Sequence, residues 1–276
     1  MNNLSKAVLG VAISAMATSA GAAIIKFEAA GGDGTAGMQA ANDARNNFDN
    51  GTYNQVTETF DEPGEFVASN PVTTENGVDL DAYDSSNQQE SWVVAQESFN
   101  TRVGTITNVR EDGTADETDP ATDKLMIENE DTGEFGRDAN LDGQWLDSND
   151  AEIVEWDIDD GNGGKFNALG FFLSDANDQG ASLEITFADG LSKTLNLNEA
   201  LGEPTNERLG DGNIAWITLY SDVFFDSATL TFDNGVNEND GWGIDDMTIA
   251  RVPEPGTLAL LGLGLAGLSL TRRRRS

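Results

Sequence analysis

From Val56 onward, apolar residues come in short runs cut by Gly, Asn, Asp and Pro, at about the 8–12 residue spacing with which the strands of a sandwich or barrel turn over. No long helical period follows residue 50, which argues against a parallel sheet built from βαβ units. The clearest stretch is Ser182 to Gly190, where Leu183, Ile185 and Phe187 alternate with Glu184 and Thr186. Alternation at period two places one face on a core and the other in water. Asp189-Gly190 then turns the chain into Leu191, Leu195 and Leu197, which predicts a hairpin. Val154, Trp156 and Ile158 alternate in the same way, as do Ala228, Leu230 and Phe232. The run Lys165 to Leu173 is apolar on both faces and suits a central strand.

One helix is expected. Met38, Ala41, Ala44, Arg45 and Phe48 recur at near-helical spacing within Ala36 to Phe48, ahead of the turn Asp49-Asn50-Gly51. The fold class is therefore all-β, a two-sheet jelly-roll sandwich over residues 56–251. Residues 24–55 precede it as an N-terminal extension carrying the short helix. Glu111 to Asp123 is polar and acidic and reads as an exposed loop.

Composition narrows the chemistry. The 276 residues contain no cysteine and no histidine, which excludes disulfides, thiol nucleophiles, Ser-His-Asp triads and ordinary zinc sites. Thirteen Phe and five Trp give enough apolar mass for a real core. The formal charge is −34. Such a surface repels nucleic acid and anionic lipid and attracts counter-cations.

Both ends of the chain read as targeting signals. Lys6 gives a positive start, Ala7 to Ala17 an apolar stretch, and Ala20-Gly21-Ala22 a small-residue cleavage site, the three parts of a secretory signal peptide over residues 1–23. Cleavage is expected after Ala22 or Ala23. At the other end, residues 252–276 hold Pro253-Glu254-Pro255-Gly256, the apolar run Leu258 to Leu270, and Arg272, Arg273, Arg274 and Arg275. Thirteen apolar or small residues fall short of the roughly 20 that span a bilayer comfortably, and the arginines prefer the cytoplasmic side. Losing Lys6 and the four arginines removes five positive charges and no acid, leaving −39. This tail resembles the PEP-CTERM signal of Gram-negative exported proteins. The resemblance implies a transient inner-membrane stage and processing by an exosortase, a membrane protease acting near Pro253, Glu254 and Pro255, with final placement at the cell surface or outside.

A second resemblance rests on Thr57 to Glu62, Trp145 to Asp150, Ala168 to Phe172 and Asp240 to Met247. Together they are similar to exported jelly-roll domains found ahead of such tails and related in style to carbohydrate-binding modules. The resemblance implies a structural calcium between the first and last strands.

Three constellations are candidate sites. Asp138-Ala-Asn140-Leu-Asp142-Gly143 supplies the alternate oxygens and sharp turn of a calcium loop, with Asn149 in place of the expected twelfth-position Glu and Asp150 beside it. The bland alternative is an Asx-turn on an acidic surface. In Trp242 to Ile249, the apolar phase switches between Ile244 and Met247, so Asp245 or Asp246 shares the core face and seeks a cation or backbone donors. The alternative is a β-bulge that resets the phase and leaves both acids in water. Trp145, inside the acidic loop, is the candidate for sugar stacking, whereas Trp156 and Trp216 read as core. The turns around Asp157, Asp159 and Asp160, and around Asp175, Asn177 and Asp178, read as solvated loops. Gly262, Gly264 and Gly267 fit a dinucleotide-binding spacing but lie inside the apolar tail, without the strand and acid that motif needs.

These features lead to the expectation of a non-catalytic surface or extracellular-matrix protein that binds polysaccharide or serves as a matrix component, with Ca2+ as its candidate ion. A carboxylate-dependent glycoside hydrolase is the alternative, since two acids suffice for that chemistry. A calcium-dependent adhesion module is the third reading.

Overall fold

The computed structural model describes residues 24–61, 74–75, 78–79, 84–85, 88–89, 92–96, 98–109, 125–128, 143–147, 151, 153–174, 182–200, 213–231 and 242–253. The chain opens with β1 (Ile24–Asp33), α1 (Gly34–Gly51) and β2 (Tyr53–Glu58), followed by two small hairpins, β3 (Thr74–Glu75) with β4 (Val78–Asp79) and β5 (Asp84–Ser85) with β6 (Gln88–Gln89). Next come β7 (Trp92–Gln96), β8 (Ser98–Thr101), β9 (Gly104–Asn108), β10 (Leu125–Glu128), β11 (Trp145–Asp147) and β12 (Ile153–Ile158). The last third holds β13 (Ala168–Ser174), β14 (Ser182–Phe187), β15 (Ser192–Asn196), α2 (Leu197–Ala200), β16 (Asn213–Ser221), β17 (Phe225–Thr231) and β18 (Gly243–Arg251).

Two antiparallel sheets make the sandwich. The larger runs β1-β16-β13-β18-β11-β10-β7, with β2 also paired to β18; the smaller runs β15-β14-β17-β12-β9-β8. Consecutive strands repeatedly change sheet, as in β12 to β13, β13 to β14, β15 to β16, β16 to β17 and β17 to β18. Winding of this jelly-roll kind brings residues distant in sequence onto one core. Trp156, Phe171, Leu183, Ile185, Ile217, Leu230, Ile244 and Ile249 share the cluster between the sheets.

The alternations are kept. In β12 and β14 every second side chain is buried, and β14 pairs with β15 through Leu183 opposite Leu195. All seven residues of β13 are buried because the large sheet is covered on both faces. Its outer face carries a second cluster with Ala41, Phe48, Trp145, Phe172, Ile214 and Trp216, capped by α1. Gly170 lies where an added Cβ would meet the Trp216 ring and Phe48, so the helix seats close to the sheet.

Helix α1 is longer than the expected Ala36 to Phe48 at both ends. Asp49-Asn50-Gly51 joins it because Asn50 donates to the Asn46 carbonyl and Thr52 to that of Phe48, satisfying carbonyls that the last turn leaves open. Residues 24–55, expected as an extension, contribute structure to the large sheet itself: β1 pairs with β16 along nearly its whole length, and α1 covers the sheet's outer face.

Candidate functional site

Strand β18 does not keep a single phase. Its pairing with β13 slips between Gly170 and Phe172, and Asp246 takes a left-handed backbone with φ of 50°. The bulge expected as an alternative is therefore present, yet it does not leave the acids in water: Asp245 is 2% exposed and Asp246 8%. A bulge changes which face a side chain meets, and here both faces of the sheet are covered.

The two acids are handled differently. Asp246 forms an ion pair with Arg45 of α1 at 2.5 Å, and that guanidinium lies over the rings of Phe172 and Trp216. Asp245 accepts a hydrogen bond from the Asp246 N–H at 2.6 Å. Burial pushes its carboxyl well above the usual carboxylate range, helped by the negative charges of Asp246 and Asp61 and opposed by the Asp246 N–H and Arg45.

Other acids converge on this part of the large sheet. Asp147 in β11 is fully buried, with its Cα opposite Gly243. Glu58 in β2, opposite Met247, is fully buried, and its two oxygens accept the backbone N–H groups of Phe60 and Arg102 at 2.8 and 2.9 Å. Asp61 accepts the Gln144 N–H at 2.7 Å. Beside it, Gly143 has φ of 85°, and a Cβ there would run into the Asp61 carboxylate. Glycine is thus required twice over, by backbone and by space. Among the described residues no group of three acids is placed to hold a metal ion.

Asp138, Asn140, Asp142 and Asp150 lie outside the described residues, as do Ala20, Ala22, Glu254, Pro255 and Arg272 to Arg275. The expectation for Trp145 is corrected. It is 1% exposed and belongs to the cluster under α1, because β11 is an inner strand held between β10 and β18. A ring in that position is not available to stack on a sugar. The turn at Asp159 and Asp160 is self-capped. Asp159 accepts the Gly161 N–H, and Asp160 accepts those of Asn162 and Gly164. The Gly164 N–H is the main reason the Asp160 carboxyl sits below the usual range.

The end of β18 carries the second feature. Arg251 donates to the Lys165 carbonyl at 2.6 Å, and the Val252 N–H donates to the Asn167 side-chain oxygen at 3.0 Å. The Asn167 amide nitrogen in turn donates to the Ser221 carbonyl at 2.9 Å. Val252 is buried, while Pro253 is exposed. Pro253 is the last described residue.

Residues 251–275 match the PEP-CTERM protein-sorting motif. The motif marks an exported chain handled by an exosortase, and its first residue, Arg251, is also the last of β18. No curated protein and no solved structure matches the chain. Among the described residues no helix is long and apolar enough to cross a membrane.

Sequence reasoning missed Asn167 and the counter-ion role of Arg45. A signal for Arg45 existed: a charge at the apolar spacing of Ala41, Ala44 and Phe48 needs a partner on whatever the helix covers. Asn167 offered none, since its two side-chain bonds join segments far apart in sequence.

Proposed function

We propose that this exported chain is a non-catalytic sandwich that works at the cell surface or in the extracellular matrix, binding polysaccharide or serving as a matrix component. One observation carries the reading: the sorting motif begins at the last residue of a central strand, so the sandwich is the cargo and is delivered folded up to the processing point. The non-catalytic part is supported by how two of the buried acids, Glu58 and Asp246, are used. Both oxygens of Glu58 are engaged by backbone N–H groups and Asp246 is paired with Arg45, arrangements that fix structure rather than free a proton donor.

Calcium is proposed as a structural ion. Asp61 and Asp245 repel one another across the β2–β18 region, and a hard cation favours such oxygens. Residues 138–150 would supply the remaining ligands. Calcium should raise the melting temperature more than sodium at matched ionic strength, and Asp138→Asn with Asp142→Asn should abolish that increment. Equal gains in wild type and double variant would remove the loop from the site.

A glycan array probed with the processed protein, with and without calcium, tests the binding role. Retention without release of reducing sugar is the expected result. Sugar release would replace this reading with that of a hydrolase.

A further inference from the structure

Both apolar targeting segments attach to one pole of the sandwich. Ile24 pairs with Ser221, Ala168 with Tyr220 and with Ala250, so the start of β1 and the end of β18 lie level on the same sheet. They are three strand spacings apart, about 14 Å. Asn167 ties the two exits together through Ser221 and Val252. Five residues, Pro253 to Thr257, separate the fold from the apolar run at Leu258. Even fully extended they reach only about 18 Å. Six residues, Thr18 to Ala23, separate it from the other apolar run, a reach of about 22 Å.

The same pole gathers the exposed large apolar side chains of the described residues, Tyr53 at 45%, Leu191 at 51% and Phe224 at 39%. Tyr53 pairs with Arg251, whose guanidinium lies 5.5 Å from the Phe224 ring centre. The Phe224 carbonyl accepts the Ala188 N–H, at the turn that leads to Leu191. Exposed apolar groups collected at one end mark an interaction surface, and aromatic rings beside basic side chains suit the membrane–water boundary. Asp189 and Asp222 lie beside Leu191 and Phe224 in the chain, and Asp160 is close enough to Arg251 to feel its charge, so attraction to anionic headgroups is not what would hold this pole down.

We propose that the pole bearing Tyr53, Leu191 and Phe224 seats on the phospholipid surface while the sorting tail is in the membrane, presenting Pro253 to its protease at a fixed height. This rests on the sorting reading, because the tail supplies the tether. The absence of cysteine makes the test direct. Single variants Tyr53→Cys, Leu191→Cys and Phe224→Cys, with Thr35→Cys and Glu199→Cys as controls at the far end, are labelled with an environment-sensitive dye. The full chain is then reconstituted into phosphatidylcholine vesicles containing a headgroup-level quencher. Blue-shifted emission and at least threefold stronger quenching at the three pole positions than at the controls are expected. Equal quenching at both ends, or quenching without a blue shift, overturns the proposal while vesicle retention leaves the sorting reading standing. Loss of the chain from the vesicle fraction overturns both. A blue shift seen only in host membranes containing the exosortase assigns the surface to a protein and overturns the lipid.

Discussion

Asp159-Asp160 and Asp245-Asp246 are the same dipeptide placed at a loop and in a central strand. In the loop, backbone N–H groups of Asn162 and Gly164 converge on Asp160 and favour its charged form. In the strand, Asp245 has one N–H and two like charges nearby, and its charged form is disfavoured. Ionised carboxylates are therefore supported in the turn by backbone donors that a strand has already committed to its neighbours. The strand pair survives because α1 delivers Arg45 to Asp246.

The largest break in this contrast comes from removing that counter-ion. Arg45→Met keeps much of the stack on Phe172 and Trp216, while Asp246→Ala leaves the guanidinium over apolar rings. Each should cost about 2–4 kcal/mol in urea unfolding, below the usual figure for a fully buried pair because the Arg45 side chain is 36% exposed. A loss under about 0.5 kcal/mol for both would mean the ion pair is an ordinary surface contact. Next, Gly143→Ala should cost about 1–3 kcal/mol, since it combines a left-handed backbone with a collision at Asp61. Full stability would show that Asp61 swings away freely, leaving Asp245 without one of its two acidic neighbours.

The pH responses of the two pairs have opposite sign. Asp245 keeps its proton in the folded state above the unfolded carboxylate value, so its contribution makes stability fall as pH rises from about 4 through its raised folded value. Asp245→Asn, measured with a chelator present, should remove that decline and gain about 1–2 kcal/mol at pH 7. A destabilised variant under these conditions would mean that the carboxylate is ionised and supported. Asp160 is the reverse case. Its stabilisation is complete above the unfolded value and is lost as pH falls through the lowered folded one. Asp160→Asn should lose under about 1 kcal/mol at pH 7, with the gap closing as pH falls through the lowered folded value. A gap that persists in acid would assign the effect to loop geometry instead of charge.

Much of the sandwich was legible in local pattern. The period-two burial in β12 and β14, the hairpin at Asp189-Gly190, and the fully buried β13 each follow from a few consecutive residues. The site was legible only in part. Alternation showed that the phase of β18 must break near Asp245, but not that α1 would cover the far face and bury both acids. The same covering helix accounts for Trp145, which turns rich in Asp, Asn and Gly had placed on the surface.

By itself, the sequence determined the sorting motif, the exclusion of thiol and histidine chemistry, and the strand pattern, because each is carried by contiguous residues or by composition. Tertiary structure alone decided that Arg45 meets Asp246, that Asn167 clasps Ser221 to Val252, and that β1 begins and β18 ends at one pole. Those facts depend on which strands become neighbours across nearly 200 residues of chain. Pairing of that range is chosen by burial of the whole core, not by any local preference.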